Sequence, residues 1–471
     1  MKKQKNIELK VIFWLIVVLF ALFLAAPLLV LLTKSLVGEQ GITLGFYTSV
    51  FAGKDFLPAL GNSFLVAAAS ALTATAIAFV LAYVIHYTKV PKGLKRCIKA
   101  VAMFPMFLPT ITYGFAIIYS FGKQGLITRL LGRQLFNIYG FAGLMVGYVI
   151  YTIPVAFLLI YNTMGYVDKK TLVVSKVMGD KTFSTFWIAV LRPLLGTLAG
   201  AFVQAFFLSF TDFGIPASVG GRYNAVIFVV PMVEEWPYKV GFSLEHFQSV
   251  LVDNELLNSY LHSVWMAVCT ALLGTLLAYG AALITARSTF SNFYKRTIDS
   301  ISVVTNAIPG MVLGVAYMFL FPGTPLQNTL ILMILCNIVH YFSTPYLMMK
   351  NSLPKMNASW ETTAMLMGDS WFKTILRVVT PNTLSSLLEV FSYYFINAMV
   401  TISALVFISG ARTMVLTTKI KQLQYINKFN EVFVLSLLIL ATNLIVKLLF
   451  SVLAKKWKKE RNHNRREKHE R

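Results

Sequence analysis

Charge is scarce in this chain. Only 13% of its 471 residues are Asp, Glu, Lys or Arg, whereas 57% are hydrophobic and mean hydropathy is +0.69. A soluble domain cannot hide that much apolar surface. Acidic residues are the scarcest, 19 against 42 basic, leaving a net charge of +23. No basic-and-aromatic alternation accompanies that excess, so it does not mark a nucleic-acid module. Cysteine is nearly missing. Cys97, Cys269 and Cys336 lie far apart in or beside apolar stretches and form no Cys-x-x-Cys, which suggests neither a disulfide framework nor a zinc site. No Gly-x-x-x-x-Gly-Lys-Ser/Thr occurs; Gly53-Lys54 and Gly122-Lys123 lack its context, so the chain has no P-loop with which to hydrolyse ATP. His-Glu-x-x-His, Gly-x-Ser-x-Gly and paired-carboxylate arrangements are missing as well. His86, His262 and His340 are scattered at or near helix ends, which suits packing or interface roles better than metal ligation.

What the chain has instead is long apolar blocks. A bilayer core takes roughly 20 helical residues to cross. Period-2 alternation is missing, so the spanning elements read as helices rather than barrel strands. The expected spans are 11–33, 62–87, 100–121, 141–164, 193–213, 261–285, 301–321, 329–349, 382–407 and 432–453. The first follows a signal-like leader, MKKQKNIELK, but runs long and lacks a convincing cleavage site, so it reads as a retained helix. With the N-terminus placed in the cytoplasm, 31 of the 42 Lys and Arg fall on the inner side. The positive-inside rule then puts both termini in the cytoplasm.

Two stretches of the chain run parallel. NSFLVAAASALTATAIAFVLAYVI, from Asn62, resembles HSVWMAVCTALLGTLLAYGAALIT, from His262. The helix with Pro105 and Pro109 pairs with the one holding Pro309. LVVSKVMGD, Leu172–Asp180, matches TTAMLMGD, Thr362–Asp369. Both Gly-Asp loops fall on the cytoplasmic side, so the repeats share one polarity, unlike the inverted repeats of secondary carriers. Each loop reads as a short helix with Asp168 or Ser359 as N-cap, a left-handed terminator, Gly179 or Gly368, and then Asp180 or Asp369 capping the next helix. Pro193 and Pro381 open the membrane helices that follow. The exposed apolar side chains of the first helix (Val174, Val177, Met178; Met365, Leu366, Met367) would suit a groove on a soluble partner.

On these residues the chain resembles the inner-membrane component of binding-protein-dependent ABC importers. The cytoplasmic signature of that family is Glu-Ala-Ala, three residues, Gly, nine residues, Ile-x-Leu-Pro. The second copy keeps Ala364, Gly368 and Pro381 at that spacing; the first keeps Gly179 and Pro193 with one extra residue between. Neither has the glutamate in place. Two copies in one polypeptide resemble the fused permeases for ferric iron, thiamine and 2-aminoethylphosphonate, and FTDFGIPASVGGRYN, Phe210–Asn224, is most like the phosphonate branch. The resemblance implies a type I permease with two ATPase subunits that supply ATP hydrolysis, an extracytoplasmic binding protein, no cofactor on this chain, and a bacterial plasma membrane. Fused members usually have more spans, and a helix pair is missing from the middle of this chain.

The chain therefore divides into a tail, first span and outer loop (1–60), a first repeat (61–221), an outer connecting segment with a short apolar stub (222–260), a second repeat (261–453) and a basic tail (454–471). The fold class expected is all-α and polytopic, with about ten spans in two same-polarity repeats. Expected ATPase-coupling residues are Gly179, Asp180, Pro193, Ala364, Gly368, Asp369 and Pro381. Expected path residues are Ser209, Thr211, Asp212, Asn306, Asn397, Thr401 and Ser403, polar groups lying where a pathway could run: Asp212 is near the outer end of its span, Asn397 is deeper in its helix, and Asn306 is beside Pro309. An ion-gradient carrier is the competing class; it needs intramembrane charge pairs, and Asp212 and Glu389 have no facing cation in the sequence.

Overall fold

The computed structural model describes residues 7–38, 41–165, 174, 175, 177–219, 248, 250, 252–356, 359–426 and 428–470. The architecture is all-α; a two-residue antiparallel pairing, Val37–Gly38 with Gly41–Ile42, is the one sheet among the described residues. Among the described residues, six helices are long and apolar enough to cross a membrane, and up to nine spans result if each of three bent helix pairs counts as one. The remaining expected span, 382–407, is a helix of 21 residues, Thr380–Val400. At 1.5 Å per residue it is about 31 Å long, enough for a hydrocarbon core. It stops at Val400 rather than 407, because Thr401 turns extended. The chain is an all-α polytopic membrane protein. The expected apolar stub at Ala225–Val233 lies outside the described residues.

The chain forms two compact units. Residues 44–238 make the first-repeat unit, and residues 1–43 with 239–471 make the second-repeat unit. The N-terminal span therefore belongs with the second repeat, not with the repeat that follows it in sequence.

In the first-repeat unit, α2 (Phe56–Tyr87) packs on α5 (Phe141–Met164) and α6 (Thr182–Thr211). Its buried stripe is small: Ala67, Ser70, Ala71, Ala74, Ala78 and Ala82 recur every three or four residues. Small side chains at that spacing let helix backbones approach closely where no hydrophobic effect drives them together. Between α3 (Lys92–Phe107) and α4 (Thr110–Phe121) the direction changes by 110°. Leu108 is extended there, because the ring of Pro109 disfavours a helical conformation in the residue before it.

In the second-repeat unit, α1 (Ile7–Leu36) buries Leu9, Phe13, Ile16 and Phe20, a single stripe at helical spacing. It lies on α8 (Asn254–Arg287) and α10 (Gly310–Leu320). Gly280 makes that approach possible, since a Cβ there would stand 2.8 Å from Ile12 Cγ2. Edge-on Phe13–Tyr294 and tilted Phe20–Phe342 rings, both 4.7 Å apart, complete the contact. In their most apolar stretches α8 is 72% buried against 39% for its counterpart α2, so α8 is the enclosed helix of the pair. A second bend, 100°, separates α9 (Asn292–Ala307) from α10, again at a proline, Pro309. The bent pair α11 (Leu330–His340) and α12 (Ser343–Ser352) follows, then α13 (Ser359–Leu366), α14 (Thr380–Val400) and, after a break, α15 (Leu405–Ile408). Last come α16 (Leu416–Tyr425) and α17 (Phe429–Glu470).

One local device recurs three times. The π turns Ala21–Ala25, Trp187–Leu191 and Ile375–Val379 each end two residues before a proline: Pro27, Pro193 and Pro381. In each, the residue just before the proline donates five residues back: Ala26 to Ala21, Arg192 to Trp187 and Thr380 to Ile375. Proline lacks an N–H, and its ring clashes with the carbonyl four residues earlier. Widening the preceding turn accommodates the ring without ending the helix. The carbonyl of Phe23, four residues before Pro27, accepts a hydrogen bond from the Tyr317 hydroxyl at 2.6 Å. Pro193 and Pro381 therefore lie inside continuous helices rather than at their starts, and the span expected at 193–213 begins at Thr182.

Candidate coupling segments and helix breaks

Gly179 and Gly368 have φ of +79° and +84°, the left-handed conformation expected of a helix terminator. The amide after each closes the turn by reaching five residues back: Asp180 N to Ser175 O at 3.1 Å, and Asp369 N to Ala364 O at 2.9 Å. Ala364 and Ser175 thus hold the same place in the two copies. A Cβ on either glycine would meet nothing within 4 Å, so the requirement there is for backbone conformation and not for space. Just before each turn lie exposed apolar side chains. Val177, Met178, Leu366 and Met367 are each more than three-quarters exposed, and Val174 half so.

Two expectations about these loops need correcting. Asp180 and Asp369 do not cap the next helix. Lys181 and Ser370 hold that position, because one extended residue intervenes before helical dihedrals resume. Ser370 Oγ accepts from Lys373 N at 3.3 Å. Asp180 instead accepts from Ser175 Oγ at 2.5 Å, tying the turn to the helix before it. Asp369 pairs with the Lys373 ammonium. Ser359 is the first residue of α13 rather than a residue before it, and the helix ends at Leu366. Asp168 lies outside the described residues.

Directly after each turn comes a helix interrupted by a π turn and a proline. Thr182–Thr211 continues from the first turn; Trp371–Thr374, Ile375–Val379 and Thr380–Val400 continue from the second. Each then breaks. Asp212 and Thr401 are extended, and the short helices α7 (Pro216–Val219) and α15 follow. Each short helix packs against the half-helix that starts at the proline break, α7 on α4 and α15 on α10. Glycine allows this approach. A Cβ on Gly114 would stand 2.2 Å from Ser218 Cβ, and one on Gly314 would stand 2.6 Å from Ala404 O.

The path residues named from sequence fall around these breaks, in two groups. In the first-repeat unit, Asp212 accepts from Ile215 N at 2.9 Å and from the Phe213 and Gly214 amides and the Thr110 side chain. Its carboxylate holds the break closed on itself. Thr211 Oγ1 bonds Phe207 O at 2.8 Å, and Ser209 Oγ is buried without a hydrogen-bond partner among the described residues. In the second-repeat unit, Asn397 Nδ2 bonds Tyr393 O at 2.8 Å, and Thr401 Oγ1 bonds Asn397 O and the Tyr341 hydroxyl, both at 2.5 Å. Ser403 Oγ lies where a Cβ on Gly310 would be, 2.3 Å from it. Asn306 is exposed on the last turn of α9.

Several polar groups went unnamed in the sequence reading. Thr110, Tyr341 and Thr417 (whose hydroxyl bonds Thr401 O at 2.7 Å) fasten the breaks. His340, named from the sequence only for packing or an interface, lies at the same break, its Nε2 3.2 Å from where a Cβ on Gly310 would be. Ser70 and Thr75 on α2, and Thr270 and Thr275 on α8, are buried hydroxyls without a hydrogen-bond partner among the described residues. They sit at matching places in the two repeats, and the parallel between the stretches from Asn62 and His262 was the signal that could have found them.

Comparison with known proteins completes the picture. Residues 274–459 match the family described as "Binding-protein-dependent transport system inner membrane component". A putative ferric transport system permease of Haemophilus influenzae is 21% identical over 437 residues, covering 72% of this chain and 68% of the relative. A ferric transport system permease of Actinobacillus pleuropneumoniae is 21% identical over 441 residues, covering 73% and 63%. A spermidine/putrescine permease homologue of Mycoplasma pneumoniae is 24% identical over 172 residues, 36% of this chain and 57% of the relative. Among solved structures, a bacterial ABC transporter for alginate import matches with a TM-score of 0.41 and 12% identity, over 61% of this chain and 96% of that one. The second repeat of this chain is thus similar to the inner-membrane components of binding-protein-dependent transport systems, and ferric permeases align with most of the chain.

Proposed function

We propose that this chain is the two-repeat permease of an ATP-driven importer for a ferric-iron-type solute. The observation that carries the reading is the doubled coupling segment: a left-handed glycine turn with exposed apolar side chains, followed at once by a π-turned helix that ends in a break. Each turn docks one ATPase subunit in the cytoplasm. ATP binding and hydrolysis by those subunits move the turns, and the helices after them carry the movement to the polar residues at the breaks. Ser209, Thr211, Asp212, Asn306, Asn397, Thr401 and Ser403 would border the path, and an extracytoplasmic binding protein would deliver the solute. Both termini lie in the cytoplasm of a bacterial plasma-membrane protein on this reading.

The relatives aligned across most of this chain are ferric permeases, which favours the ferric alternative over thiamine and 2-aminoethylphosphonate. The experiment is reconstitution of the permease with its ATPase and binding protein in proteoliposomes. Ferric-loaded binding protein should stimulate ATP hydrolysis and iron uptake. Stimulation by thiamine or 2-aminoethylphosphonate in place of iron would overturn the solute assignment, and hydrolysis indifferent to any loaded binding protein would overturn the importer reading.

A further inference from the structure

The helix that ends the chain does not stop at the membrane. α17 spans the bilayer from Glu431 to Ala454 and its backbone continues helical to Glu470. Sixteen residues at ~1.5 Å each carry it about 24 Å beyond the span. That extension is rich in one charge: Lys455, Lys456, Lys458, Lys459, Arg461, Arg465, Arg466 and Lys468 stand against Glu460, Glu467 and Glu470. A basic cluster directly next to a span on the inner side faces the negative surface potential of anionic lipids.

The second observation is a contact. Trp457, three residues past the span, donates its indole N–H to the Pro381 carbonyl at 3.0 Å. Pro381 sits just after the π turn of the second coupling segment. A carbonyl has two lone pairs, so it can take this donor and still serve the helix. Trp is also the residue that settles at the headgroup level of a membrane. Among the described residues, no such strap reaches Pro193 in the first copy.

We propose that the basic extension of α17 binds anionic phospholipid headgroups at the inner membrane surface and, through Trp457, makes the second coupling segment responsive to them. This rests on the cytoplasmic placement of the C-terminus in the function proposed above. Lipid is favoured over an acidic protein surface because the charge begins at the first residue after the span and Trp457 marks the same level.

The test uses the full chain in nanodiscs of phosphatidylcholine alone or with phosphatidylglycerol, and a glutamate-specific protease. Cleavage after Glu460 and Glu467 should slow about fivefold with phosphatidylglycerol, an order of magnitude set by surface attraction of a few basic side chains. A variant with Lys458, Lys459, Arg461, Arg465 and Arg466 all changed to Gln should be cut equally fast in both. Equal cleavage of the unaltered chain in both nanodiscs overturns lipid binding, and so does protection that arises only when ATPase subunits are added. Trp457→Phe should keep the lipid protection but remove the dependence of coupled ATP hydrolysis on phosphatidylglycerol; if that dependence persists, the strap is wrong. The cleavage assay needs neither solute nor ATPase, so it can fail while the permease reading stands, and the reverse.

Discussion

In the first-repeat unit, Thr110 places a hydroxyl at the start of α4 and Gly214 leaves the space for it; a Cβ on Gly214 would stand 2.1 Å from Thr110 Oγ1. In the second-repeat unit the space is at the start of α10, Gly310, and the hydroxyl comes from the loop, Ser403. An alignment sees two mismatches, Thr against Gly and Gly against Ser. Packing sees one constant: each break admits one small side chain, from either partner, because the joint volume is what close packing limits. The closures differ too. Asp212 folds its carboxylate onto three following amides, whereas Thr401 is held through hydroxyls, Tyr341 on one side and Thr417 on the other.

The sharpest way to break this comparison is to overfill both sites and then empty the partner. Gly214→Ala should cost about 3 kcal/mol, the upper end for overpacking. Thr110→Gly should rescue it poorly, because the Ile111 amide nitrogen would still lie 2.7 Å from the new carbon. Gly310→Ala should be rescued well by Ser403→Gly, since the remaining neighbour, His340 Nε2, is at 3.2 Å. Melting temperature in detergent reads both pairs; equal rescue in the two units would refute the exchange. A smaller effect, about 2 kcal/mol for a clash with an aromatic ring, is expected of Gly274→Ala. Its Cβ would stand 2.7 Å from the Tyr394 ring, whereas the matching Ala74 already carries that carbon. If Gly274→Ala melts as the unaltered protein does, α8 and α14 are not held at the distance described.

Smaller again is Asp212→Asn, at about 1 kcal/mol, because an amide oxygen can still accept from Ile215 N but the charge-assisted part is lost. Uptake should fall while ATPase copurification stays level, and Thr401→Val should behave alike from the other break. Unchanged uptake in Asp212→Asn would remove that residue from the path.

Much of this was legible in the residues. Gly179 and Gly368 announced left-handed turns, and Pro109 and Pro309 announced breaks, because those residue types restrict the backbone on their own. What the residues did not announce depends on neighbours distant in the chain. Nothing local says that α1 lies against α8, or that Phe23 O needs Tyr317, almost three hundred residues on. Pro193 and Pro381 were misread as helix starts because a π turn, which has no residue code, carries the helix through them. The caps moved from Asp180 and Asp369 to Lys181 and Ser370 because the left-handed glycine consumes one further residue before helical angles resume. The exchange of Thr110 and Ser403 is invisible until the two surfaces touch.

The central claim is that the paired glycine turns dock ATPase subunits, and copurification of the ATPase with Gly179→Ala, Gly368→Ala and their combination tests it most directly. The Cβ enters open space, so any loss must come from the strained left-handed turn, at about 1–2 kcal/mol each. That corresponds to roughly a tenfold weaker association per turn. Bound ATPase should be partly lost in each single variant and almost completely lost in the double, with membrane insertion intact. A double variant that retains its ATPase and its transport-coupled hydrolysis would contradict it.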